Sequence, residues 1–259
     1  MNNKERFGLE DAVAAANYIK GRLPGSGRNA LLDRRSNTHG VILGSGLGDF
    51  ADKNFTKKLE FSFTEIFDHL GIDDIVEGSA VPGHSKKIVV GQLEDVDSNA
   101  LTIAQSGREH PYEGVSLKRA TFWIRVMQVL GVKSLYGSNA AGILTPETLT
   151  PPSLMIVAGD QDLTGENPLT GPNEDALGPR FPHMGDLYTK QLRMLIKSTA
   201  KDLNIPVKEG VYLRASGPNY EQPTDVFRMR SLLDSIWRQA SYQKGEKDFV
   251  EKLLEKFTM

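Results

Sequence analysis

Residues 40–48 read GVIL followed by GSGLG, a short strand of buried type that ends on three alternating glycines, Gly44, Gly46 and Gly48, around Ser45. Nothing else in the chain limits its fold so tightly. Glycines placed directly after an apolar strand let backbone N–H groups close on a phosphate. The spacing is G-x-G-x-G, with Asp49 standing where the dinucleotide fingerprint has its third glycine, and the Lys-Ser/Thr of a nucleoside-triphosphate loop is absent. On this motif alone, a ligand-free strand-to-helix turn is as open as a phosphate loop.

The rest of the chain alternates strand-like and helix-like segments. Short aliphatic or β-branched runs predict strands at 40–43, 87–91, 100–105, 133–137, 153–157 and 209–215. Helical spacing of Leu9, Val13, Ala16, Ile19 and Leu23 predicts a helix over 8–22, and 23–38 reads as a Gly-, Asn- and Arg-rich connector. The segment 115–130 is apolar on nearly every side and predicts a mostly buried helix. Asp186 is placed to cap a helix over 187–203, with Tyr188, Leu192, Leu195, Ile196, Thr199 and Leu203 in one stripe. Further helices are predicted over 222–234 and 246–257. No repeat or linker divides the chain, so the pattern predicts one α/β domain.

Composition excludes several classes of function. A net charge of −2 supplies no field for nucleic acid or an anionic membrane. The absence of cysteine excludes a disulfide framework and thiolate metal sites. No apolar run is long enough to span a bilayer, and MNNKERFGLEDAV lacks the apolar core of a signal peptide, so a soluble, cytoplasmic protein is expected.

In sheets of this kind ligands sit beyond the carboxyl ends of the strands, so the loops there carry the chemistry. After the strand at 100–105 comes SGREHPYEG, where Arg108 offers a planar fork for an oxyanion and His110 a second donor. An extended segment would turn Arg108, His110 and Tyr112 to one side. Taken in isolation, that loop also reads as a solvated charged turn. After 133–137 comes SNAAG, whose small residues let the Ala140 amide approach an anion, or simply make a tight turn. After 209–215 comes SGPNYE, an aromatic face at Tyr220 beside the Glu221 carboxylate, a pair that suits a flat ligand with N–H donors such as a 6-oxopurine. His39 and His69 lie in no such loop and are expected at the surface.

Seven motifs in one order resemble the trimeric-type purine nucleoside phosphorylases, the inosine, guanosine and xanthosine phosphorylase family. They are GSGLG (44–48), VPGH (81–84), GREHPYEG (107–114), NAAG (139–142), NPLTGPNED (167–175), RFP (180–182) and GPNYE (217–221), and the likeness runs from about residue 10 to residue 230. The resemblance implies a single α/β domain with a mixed central β-sheet flanked by helices, the nucleoside phosphorylase fold. It implies cleavage of purine ribonucleosides by inorganic phosphate to free base and ribose 1-phosphate, with phosphate as co-substrate, no cofactor, no metal, and a homotrimer as the assembly. It further implies phosphate held by Ser45, His84, Arg108, His110 and the Ala140 backbone, ribose touched by Tyr112, and His110 or Arg108 steadied by Glu113. Tyr220 would pack against base and sugar, and Glu221 would accept from the purine N1–H; His110, Glu113 and Glu221 would be the catalytic set.

The chain also departs from that pattern. The family's Met-Ser-Thr strand, a strand bearing an Asn for purine N7 and O6, and a later His near the ribose 5′-hydroxyl are not found, so the domain 1–259 is expected to be shortened between about 234 and 244. Pro151, Pro152 and Ser153 replace a Gly-Asp pair, and GDQD (159–162) replaces a loop expected near the neighbouring subunit's sugar site. Two other readings therefore stand beside an active phosphorylase. One is a catalytically impaired phosphorylase-fold protein that binds phosphate or nucleoside. The other is an NAD-type oxidoreductase, which rests on G-x-G alone and is disfavoured by the missing third glycine.

Overall fold

A computed structural model describes residues 6–25, 27, 31, 37–73, 86–94, 100–147 and 149–242. The chain divides into two compact units, Met1–Ala140 with Asn167–Arg180, and Ala141–Glu166 with Phe181–Met259.

The first unit runs α1 (Leu9–Arg22), β1 (His39–Leu43), α2 (Phe50–Asn54), β2 (Phe55–Ser62), α3 (Phe63–His69), β3 (Lys87–Leu93), β4 (Thr102–Ser106), a 3-10 turn (Pro111–Glu113), α4 (Leu117–Ala120), α5 (Phe122–Val129) and β5 (Ser134–Gly137). Its five strands form one sheet in the order β2-β3-β4-β1-β5. β1 pairs in parallel with β4 and β5, whereas β3 pairs antiparallel with β2 and β4. This is the mixed central sheet expected from the sequence.

Strand alternation decides where the core lies. Ile88 and Val90 of β3 and Ile103 of β4 face one cluster, completed by Ala12, Ala15, Ala16 and Ile19 of α1, Phe63, Ile66 and Phe67 of α3, and Phe122, Trp123, Val126 and Met127 of α5. Val89 and Ala104 point the other way, to Leu43, Ala51 and Phe55. Trp123 stacks on Phe63 at 4.3 Å and on Phe67 at 5.6 Å between ring centroids. Each of these large aromatics buries more apolar area than the alanines and valines around it.

Three details of this unit differ from expectation. The buried stripe of α1 is Ala12, Ala15, Ala16 and Ile19, and Val13 is exposed. The predicted helix over 115–130 is two, α4 and α5, separated at Thr121, whose φ of −101° and ψ of 3° leave helical geometry; Ile124 is 42% exposed. His39 is a half-buried member of β1, its Nδ1 2.7 Å from Ser134 Oγ, whereas His69 is exposed as expected.

The second unit contains β6 (Leu154–Asp162), α6 (Lys190–Asp202), β7 (Val207–Arg214) and α7 (Pro223–Tyr242). β6 and β7 pair in parallel from Leu154↔Val207 to Asp162↔Arg214, with a shift of register between Val157 and Gly159. Residues 159–162, expected as a loop, are therefore the end of a strand. The N-cap of α6 is Thr189; Asp186 lies outside the helix and accepts from Lys190 N–H at 3.3 Å. Of α6 only Ala200 is buried, while Leu195 and Leu203 of its predicted stripe are exposed. α7 runs on past residue 234, and the helix predicted over 246–257 lies outside the described residues. Among the described residues no helix is long and apolar enough to cross a membrane.

Candidate anion site at the carboxyl edge of the parallel strands

The register of the parallel strands brings three of the singled-out loops to one edge of the first unit's sheet. Leu43 pairs with Ser106, and Ile42 with Gly137, so the segments starting at Gly44, Gly107 and Ser138 leave neighbouring strands at the same level.

Two hydrogen bonds tie these loops together. Gly44 N–H donates to Ser138 Oγ at 2.9 Å, and Ser106 Oγ donates to the Gly48 carbonyl at 2.9 Å. Gly44 is required by this approach, because a Cβ there would lie 2.5 Å from the Ser138 carbonyl oxygen. Gly46 turns the chain at a φ of +85°, which few L-residues tolerate, and leaves Ser45 exposed at the tip. Asp49 precedes α2 and pairs with Lys53, an ion pair that holds its carboxyl below the usual range.

The loop after β4 is held by hydrogen bonds to its own carboxylates. Pro111 begins the 3-10 turn and Gly114 ends it in the left-handed region at φ +89°. Glu113 Oε1 accepts from His110 N–H at 2.9 Å and sits 2.8 Å from His110 Nδ1, while its Oε2 accepts from Lys86 Nζ at 3.2 Å. Burial pushes the Glu113 carboxyl upward, but hydrogen bonds from His110 and Lys86 outweigh it and leave the group below its ordinary value. Glu109 is buried and takes a bidentate hydrogen bond from buried Arg119. Tyr112 does not continue an extended run from His110: it lies in the 3-10 turn and stacks on the imidazole at 4.8 Å, with 12° between planes.

Arg108 is half-buried, and its Nε is buried with no hydrogen-bond partner among the described residues. A buried guanidinium N–H left unpaired is costly, and an oxyanion is the ligand its geometry fits. Ser45, Arg108, His110 and Ala140 thus belong to loops of one sheet edge. His84, with the rest of VPGH, lies outside the described residues. Tyr220 and Glu221 belong to the second unit, exposed on the loop after β7, with Tyr220 at 93% exposure.

Comparisons with known proteins place the chain in a family. The Phosphorylase superfamily model matches residues 38–236, more than half of the chain. Purine nucleoside phosphorylase 1 of Bacillus subtilis is 41% identical over 221 residues, covering 84% of this chain and 72% of that protein. The chain belongs to the purine nucleoside phosphorylase family. The Geobacillus stearothermophilus relative of the same name is also 41% identical, over 74% of this chain and 66% of its own length, so this phosphorylase-family chain spans about two thirds of the curated relatives it matches. A solved purine nucleoside phosphorylase in complex with ribose 1-phosphate superposes with a TM-score of 0.73 at 31% identity, over 89% of this chain and 78% of that one. The fold is therefore that of the nucleoside phosphorylases.

Sequence reasoning missed Lys86, Arg119 and Ser138 in this candidate site. Ser138 could have been found as the first residue after a predicted strand. Lys86 sits just past a motif, 27 residues from the carboxylate it holds, with no local signal of the pairing.

Proposed function

We propose that the protein is a purine-nucleoside phosphorylase that converts inosine or guanosine and inorganic phosphate into free purine and ribose 1-phosphate. The observation that carries this reading is the buried Nε of Arg108, unpaired among the described residues, in a loop whose His110 is held by Glu113 beside the GSGLG turn. Arg108, His110, Ser45, His84 and the Ala140 backbone hold phosphate, Tyr112 contacts the ribose, and Glu113 fixes the imidazole.

A phosphate oxygen forms the new bond to C1′ as the C1′–N9 bond breaks, and the electron pair passes into the purine, which takes up a proton. C1′ carries positive charge in the transition state, so a fixed anion beneath it stabilises that state. Holding the anion in line also removes the entropy of a bimolecular encounter. Tyr220 packs on base and sugar, and Glu221 accepts from N1–H of a 6-oxopurine but repels the unprotonated N1 of adenine. Phosphate is itself the nucleophile, so the reaction needs no cofactor, metal or enzyme nucleophile. By the same resemblance the protein is a cytoplasmic homotrimer in purine salvage.

The test is release of hypoxanthine from inosine with and without phosphate. Release that requires phosphate supports the proposal, and equal release without phosphate overturns it. Phosphate binding without release supports the impaired phosphorylase-fold binder instead.

A further inference from the structure

Lys86 stands immediately before β3 in a backbone conformation that L-residues rarely adopt, with φ at +35°. Its carbonyl is fixed there by the Phe63 N–H at 2.9 Å. Glycine would accept that φ freely. What lysine adds is an ammonium 3.2 Å from Glu113 Oε2 and 3.9 Å from Glu109 Oε1, with its side chain only 24% exposed.

Of the lysine and arginine pairings described around the loop, two are the shortest. Arg119 satisfies Glu109 with two hydrogen bonds, and Lys86 satisfies the Glu113 oxygen that His110 does not use. Without Lys86, the Glu113 carboxylate, 4% exposed, would lose its ammonium partner and place a negative charge in the loop that carries Arg108 and His110. Charge in so sheltered a place is weakly screened.

We propose that Lys86 is a positioning residue of the anion site: it neutralises Glu113, so that Glu113 orients His110 without cancelling the positive charge of Arg108. The inference rests on the phosphorolysis reading. It assigns strained backbone at position 86 to phosphate affinity rather than to folding.

Titration calorimetry of inorganic phosphate into the full chain tests it, alongside steady-state kinetics with inosine. Lys86→Gly, which suits the observed φ, and Lys86→Met should fold as judged by circular dichroism and weaken phosphate binding on the order of tenfold, as loss of a charged partner does. The KM for inosine should stay within about twofold, and Lys86→Arg should recover most of the phosphate affinity. Unchanged phosphate affinity in both folded variants, an equal rise in the two KM values, or an equal loss in Lys86→Arg would overturn the role of Lys86 while leaving phosphorolysis intact. A wild-type protein that binds no phosphate would overturn the underlying reading and this inference with it.

Discussion

Glu109 accepts from Arg119 Nε at 3.0 Å and from Nη2 at 2.6 Å, with both side chains almost fully buried. The guanidinium also lies 4.9 Å above the ring of Phe67, so the pair joins the anion loop to the aromatic core. Removing one partner strands a buried charge. Arg119→Met should cost about 3–5 kcal/mol by urea denaturation, whereas the double variant Glu109→Gln/Arg119→Met should recover part of that loss.

If Arg108 holds phosphate as proposed, Arg108→Ala should raise the KM for phosphate by about tenfold or more, with little change in the KM for inosine. Initial rates over a grid of both substrates decide the matter. An equal effect on both would remove Arg108 from the phosphate site.

Two groups predict how stability varies with pH. Glu113 has a folded pKa below its ordinary value, so the unfolded chain binds its proton first as pH falls. The stability it contributes is present above the unfolded glutamate pKa and is lost as pH falls through the lower folded value. Melting curves across that acid range should fall more steeply for the wild type than for Glu113→Gln.

Tyr188 moves the opposite way. Burial first, and then the neighbouring Asp160 carboxylate, raise its pKa to about 12. Its contribution to stability is present below the ordinary tyrosine value and is lost as pH rises through the folded value. Tyr188 should still be protonated near pH 11, so Tyr188→Phe should leave the phenolate absorbance at that pH almost unchanged.

Gly44→Ala should be destabilising by about 2 kcal/mol or more, since the new Cβ meets backbone at Ser138 and Asn139 rather than a side chain that can move aside. The same change should lower phosphate affinity, because it separates two loops of the site. Wild-type affinity in this variant would show that the approach of Gly44 to Ser138 has no functional role.

Legibility of the sequence followed the clarity of its periodicities. Runs such as KIVVG gave their strands because both faces are apolar and buried. β2 escaped because FTKKLEFS has its alternation broken by a register shift between Thr56 and Leu59, and because α2 and α3 beside it are too short to show a helical period. GDQD read as a loop from its polarity, yet pairing with β7 holds it in a strand. Within the candidate site, Arg108, His110 and Glu113 were visible as a dense polar set within six residues. The ion pairs behind them join residues far apart in the chain, which a local pattern does not encode.

The position of β1 has a consequence during synthesis. Its partners begin at Thr102 and Ser134, both far downstream of His39, so β1 emerges from the ribosome with neither neighbour yet made. At about 5–20 residues per second, the wait lasts several seconds. Throughout that interval the VIL run is an unpaired, sticky edge, open to other nascent chains. Slower elongation or a lack of chaperones should therefore lower the soluble yield of this protein before it changes the properties of the molecules that do fold.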